Sequence, residues 1–292
     1  MKTEKDLQDK IFVVTGANSG IGFESARDFA RRGATVVILC RNEARGQEAV
    51  DTIKQETGNP DVYLYLADFS LLSSVAEAGR AVQKDFPRID VLCNNAGAAN
   101  EKRQETAEGF ELTFAANHLG GFLLTQLLMP SLLAAAGKDH ARIVFTSSLG
   151  HKSGPLDFDD LNMRKGYRGL KAYGRSKLMN LLTARELDQR YRDQGIVASS
   201  FHPGAVRTPI WSKGGVSGRL LGLLLYPFMI SIEKGADTMI WLASSTDDLS
   251  RHANGHYYFK RKRPSIASFA TDEAAHRLWS VSLELVQPFL NE

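Results

Sequence analysis

Cysteine is scarce in this chain, with two in 292 residues, Cys40 and Cys93. Each closes an apolar run and reads as a buried strand residue. Together they supply no disulfide framework, so a disulfide-built secreted scaffold is excluded. The expectation is a reducing compartment, the cytoplasm. An excess of one charge is also missing. Lys and Arg number 36 against 33 Asp and Glu, a net charge of +3, with the signs mixed along most of the chain. No nucleic-acid partner is expected from that balance. No transmembrane segment and no metal site are expected. The charged stretch Met1 to Lys10 is expected to be neither a signal peptide nor a membrane anchor. What is present, 43% hydrophobic and 24% charged residues, is the composition of an ordinary globular protein, long enough for one α/β domain or two smaller ones.

The apolar run Ile11-Phe12-Val13-Val14 reads as a buried parallel strand. It leads into Thr15-Gly16-Ala17-Asn18-Ser19-Gly20-Ile21-Gly22, and a helical pattern follows with Phe23, Ala26, Phe29 and Ala30 on one face. Strand, glycine-rich turn and helix form the context in which such a turn binds a nucleotide. Glycines let the backbone approach a pyrophosphate, and the helix start offers free N–H groups. A second strand, Thr35 to Leu39, ends at Cys40-Arg41, with Arg45 one turn on. An acidic residue there would take a ribose 2′-hydroxyl, whereas an arginine suits a 2′-phosphate, so NADP(H) is expected over NAD. Helices about Glu43 to Glu56 and through Val75, Ala78 and Val82 alternate with strands Val62–Leu66 and Ile89–Cys93. Strands alternating with helices at this spacing predict a single Rossmann-type doubly wound parallel sheet with helices on both faces, an α/β fold. Gly16, Arg41, Asp68 and Asn95 all fall at carboxyl ends of strands, where ligands of such sheets lie.

A long helix is expected from about Gly109 to Leu133, carrying Asn117-His118. Among its apolar neighbours Asn117 reads most simply as a satisfied core amide, and His118 as a structural or surface residue. A strand Arg142–Phe145 ends at Thr146-Ser147-Ser148. Beyond an irregular segment containing His151, a helix carries Tyr173 and Lys177, and a sixth strand from Ile196 to Phe201 runs into His202-Pro203-Gly204. On a helix, residues at that spacing share one face. A free phenol ionises near ~10. An ammonium beside it favours the phenolate, making a tunable acid/base for proton transfer at an alcohol oxygen.

Thr15-Gly16 with Gly20 and Gly22, Asp68, Asn94-Asn95-Ala96-Gly97, Asn117, Ser148, Tyr173 with Lys177, and Pro203-Gly204 stand in one order over about residues 10 to 260. In that order they resemble the short-chain dehydrogenase/reductase family. Asn117-His118-Leu119-Gly120, the long gap from Ser148 to Tyr173, and the pattern over 173 to 180 resemble its retinol-dehydrogenase-like subgroup. The resemblance implies that Tyr173 exchanges a proton with a carbonyl or alcohol oxygen. Ser148 would hold that oxygen, with Ser147 as its neighbour. Lys177 would lower the pKa of Tyr173 and bind the nicotinamide ribose, while Asn117 positions a water. The glycine loop with Ser19 and Ile21 would hold the cofactor, Asp68 would contact adenine, and Asn95, Ala96 and Gly97 would lie beside the adenosine portion. Pro203, Gly204 and Val206 would pass close to the nicotinamide, with Thr208 on its carboxamide or the phosphate. Members of that subgroup commonly begin with an anchor, which the charged start of this chain does not resemble, so a retinoid is not assumed as substrate.

In this family the segment 209–232 would form a lid over the substrate. Its apolar stretch over 220–230 reads as a pocket wall, or else as a patch that touches a membrane surface. Either reading favours an apolar carbonyl or alcohol as substrate. The run Lys260-Arg261-Lys262-Arg263 reads as a solvated loop, and a last helix, about Asp272 to Val286, as a cover for the sheet or for a second subunit of a homo-oligomer. Two other functions compete with an NADP(H)-dependent dehydrogenase/reductase: a non-catalytic NADP(H)-binding regulator or scaffold of the same fold, and an isomerase or lyase acting on nucleotide-sugars. The intact Asn-Ser-Tyr-Lys set opposes the first, and the glycine spacing and apolar lid oppose the second.

Overall fold

A computed structural model describes residues 5–136, 140–206 and 229–291 of the chain. The first strand, β1 (Ile11–Thr15), pairs in parallel with β2 (Thr35–Cys40) on one side and β4 (Val91–Asn94) on the other. Strand β3 (Val62–Leu66) extends the sheet beyond β2, while β5 (Ala141–Thr146), β6 (Ile196–His202) and β7 (Tyr257–Phe259) extend it beyond β4. Every neighbouring pair is parallel. The chain winds outward from β1 to β3, crosses back, and winds outward the other way from β4. That reversal opens a crevice at the carboxyl ends of β1 and β4, where the first functional loop lies.

Alternate strand residues feed two cores. Phe12, Val14, Val36, Ile38, Val144 and Val197 enter a layer closed by α1 (Gly20–Arg31), α2 (Glu43–Thr57) and α6 (Ile232–Ser244). Val13, Val37, Leu39, Leu92, Ile143 and Phe145 enter the opposite layer, closed by α3 (Leu72–Asp85), α4 (Leu112–Ala135), α5 (Gly169–Tyr191) and α7 (Asp272–Leu290). Burial on both faces is why these strands read as continuous apolar runs without alternation.

Helix α4 starts later than the sequence indicates, because Gly109 turns the chain at φ +84° and Glu111 caps the helix by accepting from the N–H groups of Thr113 and Phe114. It is wound wider, as a π-helix, over Ala115–Leu119, the turn that carries Asn117. By length and composition α4 is apolar enough to cross a membrane, yet 72% of its most apolar window is buried inside the fold, so it serves here as a core helix. Helix α7 runs past Val286 to Leu290 and packs on α3, α4 and α5. Residues 207–228, which include Thr208 and most of the expected lid, lie outside the described residues.

Candidate active site

Thr15 ends β1 and laces two loops together. Its hydroxyl oxygen accepts from the backbone N–H of Asn95 at 2.9 Å and of Ala96 at 2.8 Å, while Asn95 Nδ2 donates to the Thr15 carbonyl at 2.9 Å. Gly16 then turns the chain at φ +65°, a conformation that disfavours any residue with a side chain. A Cβ added to Gly22 would lie 2.5 Å from Asn95 Nδ2 and 2.7 Å from the Gly16 carbonyl, so the loop closes only around glycine. Ser19 stands at the N-cap of α1 without a side-chain capping bond, and the first turn holds no acidic residue. The positive end of the helix, from Ser19 through Gly20, Ile21 and Gly22, is therefore open to an anion. The segment after β6 returns to this loop. Pro203 and Gly204 (φ +91°) lead to Val206, and a Cβ on Gly235 would meet Val206 at 2.6 Å and Ile21 at 3.0 Å.

Arg41 follows β2 with its side chain 67% exposed, and its Nη1 lies 3.9 Å from Asp68 Oδ2 at the end of β3. The other Asp68 oxygen accepts from the Ser70 N–H at 2.9 Å and the Ser70 hydroxyl at 2.6 Å. Asp68 is thereby fixed, and the guanidinium stands mostly in solvent at the carboxyl edge of the sheet.

The second cluster sits at the end of β5. Ser147 is buried and donates to the Lys177 carbonyl at 2.7 Å, so it braces α5. Ser148 is half-buried, and its hydroxyl accepts from the Gly150 N–H at 3.1 Å. Tyr173 on α5 is half-buried beside it. Burial raises its phenol pKa, and a hydrogen bond with the Ser148 hydroxyl works in the other direction. Lys177 is buried one turn on. Its Nζ donates to the Thr146 carbonyl at 3.1 Å and lies 5.5 Å from the centre of the Tyr173 ring. Burial lowers its ammonium pKa to about 8. Asn117 bonds in both directions to Ala98, accepting from its N–H at 2.7 Å and donating to its carbonyl at 2.8 Å, and also donates to Ser176 Oγ at 3.0 Å. A Cβ on Gly97 would lie 3.3 Å from both Asn117 Oδ1 and Lys177 Nζ, so these groups face one space. Asn117 is thus both a satisfied amide and a neighbour of the lysine.

His118 is the structural residue of the two sequence alternatives. Its ring lies between Phe114 and Phe122, Nε2 lies 2.8 Å from Ser282 Oγ of α7, and burial lowers its pKa to about 3. Sequence reasoning assigned no role to three other rings near the site: His151, His202 and Tyr257. His151 follows Ser148 by one turn and His202 precedes Pro203, signals that were present. Tyr257 on β7 carried none, since only the sheet order brings it to this place.

A glycine-loop cradle beside a Tyr–Lys–Ser cluster at the carboxyl end of a doubly wound sheet defines a nicotinamide-dependent oxidoreductase. The family description "short chain dehydrogenase" matches residues 10–215. Mouse retinol dehydrogenase 12 is 39% identical over 97% of this chain and 88% of its own length. A Streptomyces protein named as a daunorubicin C-13 ketoreductase is 38% identical over 96% of this chain and 93% of its own. Among solved structures, a Mycobacterium paratuberculosis protein superposes with a TM-score of 0.77 at 30% identity, covering 97% of this chain and 95% of that one. An Escherichia coli CFT073 protein described as a short chain dehydrogenase, in complex with NADPH, gives 0.67 at 26%, covering 87% and 98%. The chain belongs to the short-chain dehydrogenase family, among its retinol-dehydrogenase-like members, and is an oxidoreductase.

Proposed function

We propose that this protein interconverts a carbonyl and an alcohol on an apolar small molecule, using NADP(H), with Tyr173 as the acid/base. The observation that carries the reading is the Tyr173 phenol beside the Ser148 hydroxyl, with the buried Lys177 Nζ 5.5 Å from its ring centre, at the carboxyl end of the sheet. The cradle fits a dinucleotide: an uncapped helix start, a loop closed only around glycine, and an exposed arginine at the end of β2. In this reading Gly16 and the first turn of α1 hold the pyrophosphate and Arg41 takes the 2′-phosphate. Asp68 and Asn95 to Gly97 flank the adenosine, and Pro203, Gly204 and Val206 border the nicotinamide. Thr208 belongs to the same reading. When bound, the cofactor supplies or accepts the hydride.

The protein's own part is orientation and proton transfer. Burial keeps the Tyr173 phenol protonated at pH 7, which makes it a donor to a carbonyl oxygen in the reductive direction. Ser148 shares that oxygen and stabilises the charge developing on it. Lys177, still an ammonium at pH 7, favours the phenolate left behind and serves the ribose. Asn117 fixes the wide turn of α4 against Ala98 and, through Ser176, against α5 beside the lysine. Leu149, 59% exposed, follows Ser148, and Leu170, 74% exposed, lies one turn before Tyr173. Exposed apolar side chains this near Ser148 and Tyr173 in the chain support an apolar substrate. Two free, buried cysteines fit a reducing compartment such as the cytoplasm.

The test is reduced-nicotinamide absorbance across a panel of aliphatic, aromatic and polycyclic aldehydes and ketones with NADPH. Oxidation of NADPH by some of them is expected. NADPH binding with no turnover on any of them would instead favour the non-catalytic scaffold.

A further inference from the structure

Buried polar atoms in native proteins almost always have partners, because an unmade bond costs more than a made one returns. Ten such atoms among the described residues have none, and two of them belong to one ring pair beside Tyr173: His151 Nε2 and the Tyr257 hydroxyl. Both side chains are deeply buried, His151 at 0% and Tyr257 at 4% exposure, and their ring centres are 4.7 Å apart, edge to face. His151 lies in the turn that begins at Ser148. Tyr257 pairs in register with Ser200 on β6, and its side chain enters the same core layer as α5. Burial, with the neighbouring Tyr173 phenol adding to it, pushes the Tyr257 phenol pKa up, so its proton stays in place.

The chemistry of the two atoms is complementary. His151 Nδ1 lies 2.7 Å from the Ser148 carbonyl, which can only accept, so Nδ1 carries the proton. Burial lowers the pKa of this ring, the bond to the Ser148 carbonyl works against it, and Lys152 adds to the lowering, so the ring is neutral at pH 7. Its Nε2 is then an acceptor with nothing to accept from. The Tyr257 O–H is a donor with nothing to donate to. An alcohol both donates and accepts, so it answers both needs. A carbonyl answers only the tyrosine, and an alkyl group answers neither.

We propose that His151 and Tyr257 form a hydroxyl-binding subsite beside Tyr173, so that the substrate is an otherwise apolar ketone or alcohol carrying a second hydroxyl away from the reacting carbon. The proposal deepens the reductase reading and rests on Tyr173 marking the reacting oxygen. Its two residues are specificity determinants, and the hydroxyl fixes which carbonyl of a larger molecule is presented.

The test uses the full chain with NADPH and a series of straight-chain methyl ketones bearing a hydroxyl at successive carbons, with the unsubstituted ketone as reference. At one hydroxyl position the KM relative to the reference is expected to fall about 10-fold. Tyr257→Phe removes the donor. His151→Asn removes the acceptor while its amide N–H replaces Nδ1–H on the Ser148 carbonyl. Each is expected to erase most of that KM ratio and leave the ratio of kcat values in place, a split that a general loss of folding does not produce. The proposal is overturned if no hydroxyl position is preferred, if the preference survives both substitutions, or if they weaken NADPH binding in place of the preference. Calorimetric titration of the matching diols and mono-alcohols into the NADP+-bound protein reads the same preference without turnover. A diol preference there, with no ketone reduced, rejects the reductase reading and keeps the subsite. Active reduction with no diol preference rejects the subsite alone.

Discussion

On the glycine-loop side of the crevice, most polar groups satisfy one another, with Asn94 Oδ1 at the end of β4 left over. Thr15 bonds Asn95 and Ala96, Asn95 bonds back to Thr15, and Asp68 is held by Ser70. On the β5–β7 side, His151, His202, Ser200 and Tyr257 each bury a polar atom without a partner. The contrast reflects what each side recognises. A dinucleotide presents the same phosphates and riboses to every such fold, and backbone N–H groups with a few glycines can meet them. In the proposed reading the second side fits one particular molecule, whose second hydroxyl partners His151 Nε2 and the Tyr257 hydroxyl.

The largest effect should come from breaking the β5–β7 side at its centre. Tyr173→Phe is expected to lower kcat by about 10²- to 10⁴-fold, the usual worth of a general acid. NADPH affinity, measured by fluorescence titration, should change little. If turnover persists, the acid/base assignment is wrong. On the other side, Arg41→Asp is expected to weaken NADPH by roughly 10- to 100-fold, the loss of a charge-assisted phosphate contact, while NADH binding moves much less. Equal effects on the two cofactors would remove Arg41 from the argument.

Gly22→Ala asks how rigid the glycine-loop side is. The new methyl would press on Asn95 Nδ2 and the Gly16 carbonyl, and a urea midpoint shift corresponding to about 1–3 kcal/mol is expected. A variant as stable as the parent would show that the loop yields.

The smallest effect is a pH slope. Burial lowers the Lys177 ammonium from 10.5 to about 8, so between those values the unfolded chain binds more protons than the folded one. Stability contributed by this group therefore rises with pH across that window, and below it the full cost of the buried charge is present. Thermal melts of Lys177→Met and the parent should show the variant's relative stability greatest at and below pH 8 and declining toward pH 10.5. A constant gap would mean that the amine titrates at its ordinary value.

The alternation of strand and helix was legible in the sequence because buried parallel strands are continuous apolar runs, and Ile11–Thr15 or Thr35–Cys40 have no other reading. The ends of elements were less legible. Helix α4 starts where the Glu111 carboxylate reaches back to two N–H groups, and α7 continues because α4 and α5 pack along its side. Asn117 shows the same limit at the site. A core amide and a catalytic neighbour of lysine look alike in sequence, and the wide turn over Ala115–Leu119 makes the residue both satisfied and adjacent to Lys177.

By itself the sequence determined the family, the doubly wound sheet, the glycine loop and the Tyr173–Lys177 pair, because these depend on local spacing: a turn after a strand, or two side chains one helical turn apart. Only the tertiary structure decided what surrounds that pair. Tyr257 stands 84 positions beyond Tyr173 and reaches it because β7 pairs with β6, which lies beside β5. Parallel pairing between strands so far apart in the chain has no local signature. The pairing of His151 with Tyr257 beside Tyr173 therefore becomes visible only once the sheet is assembled.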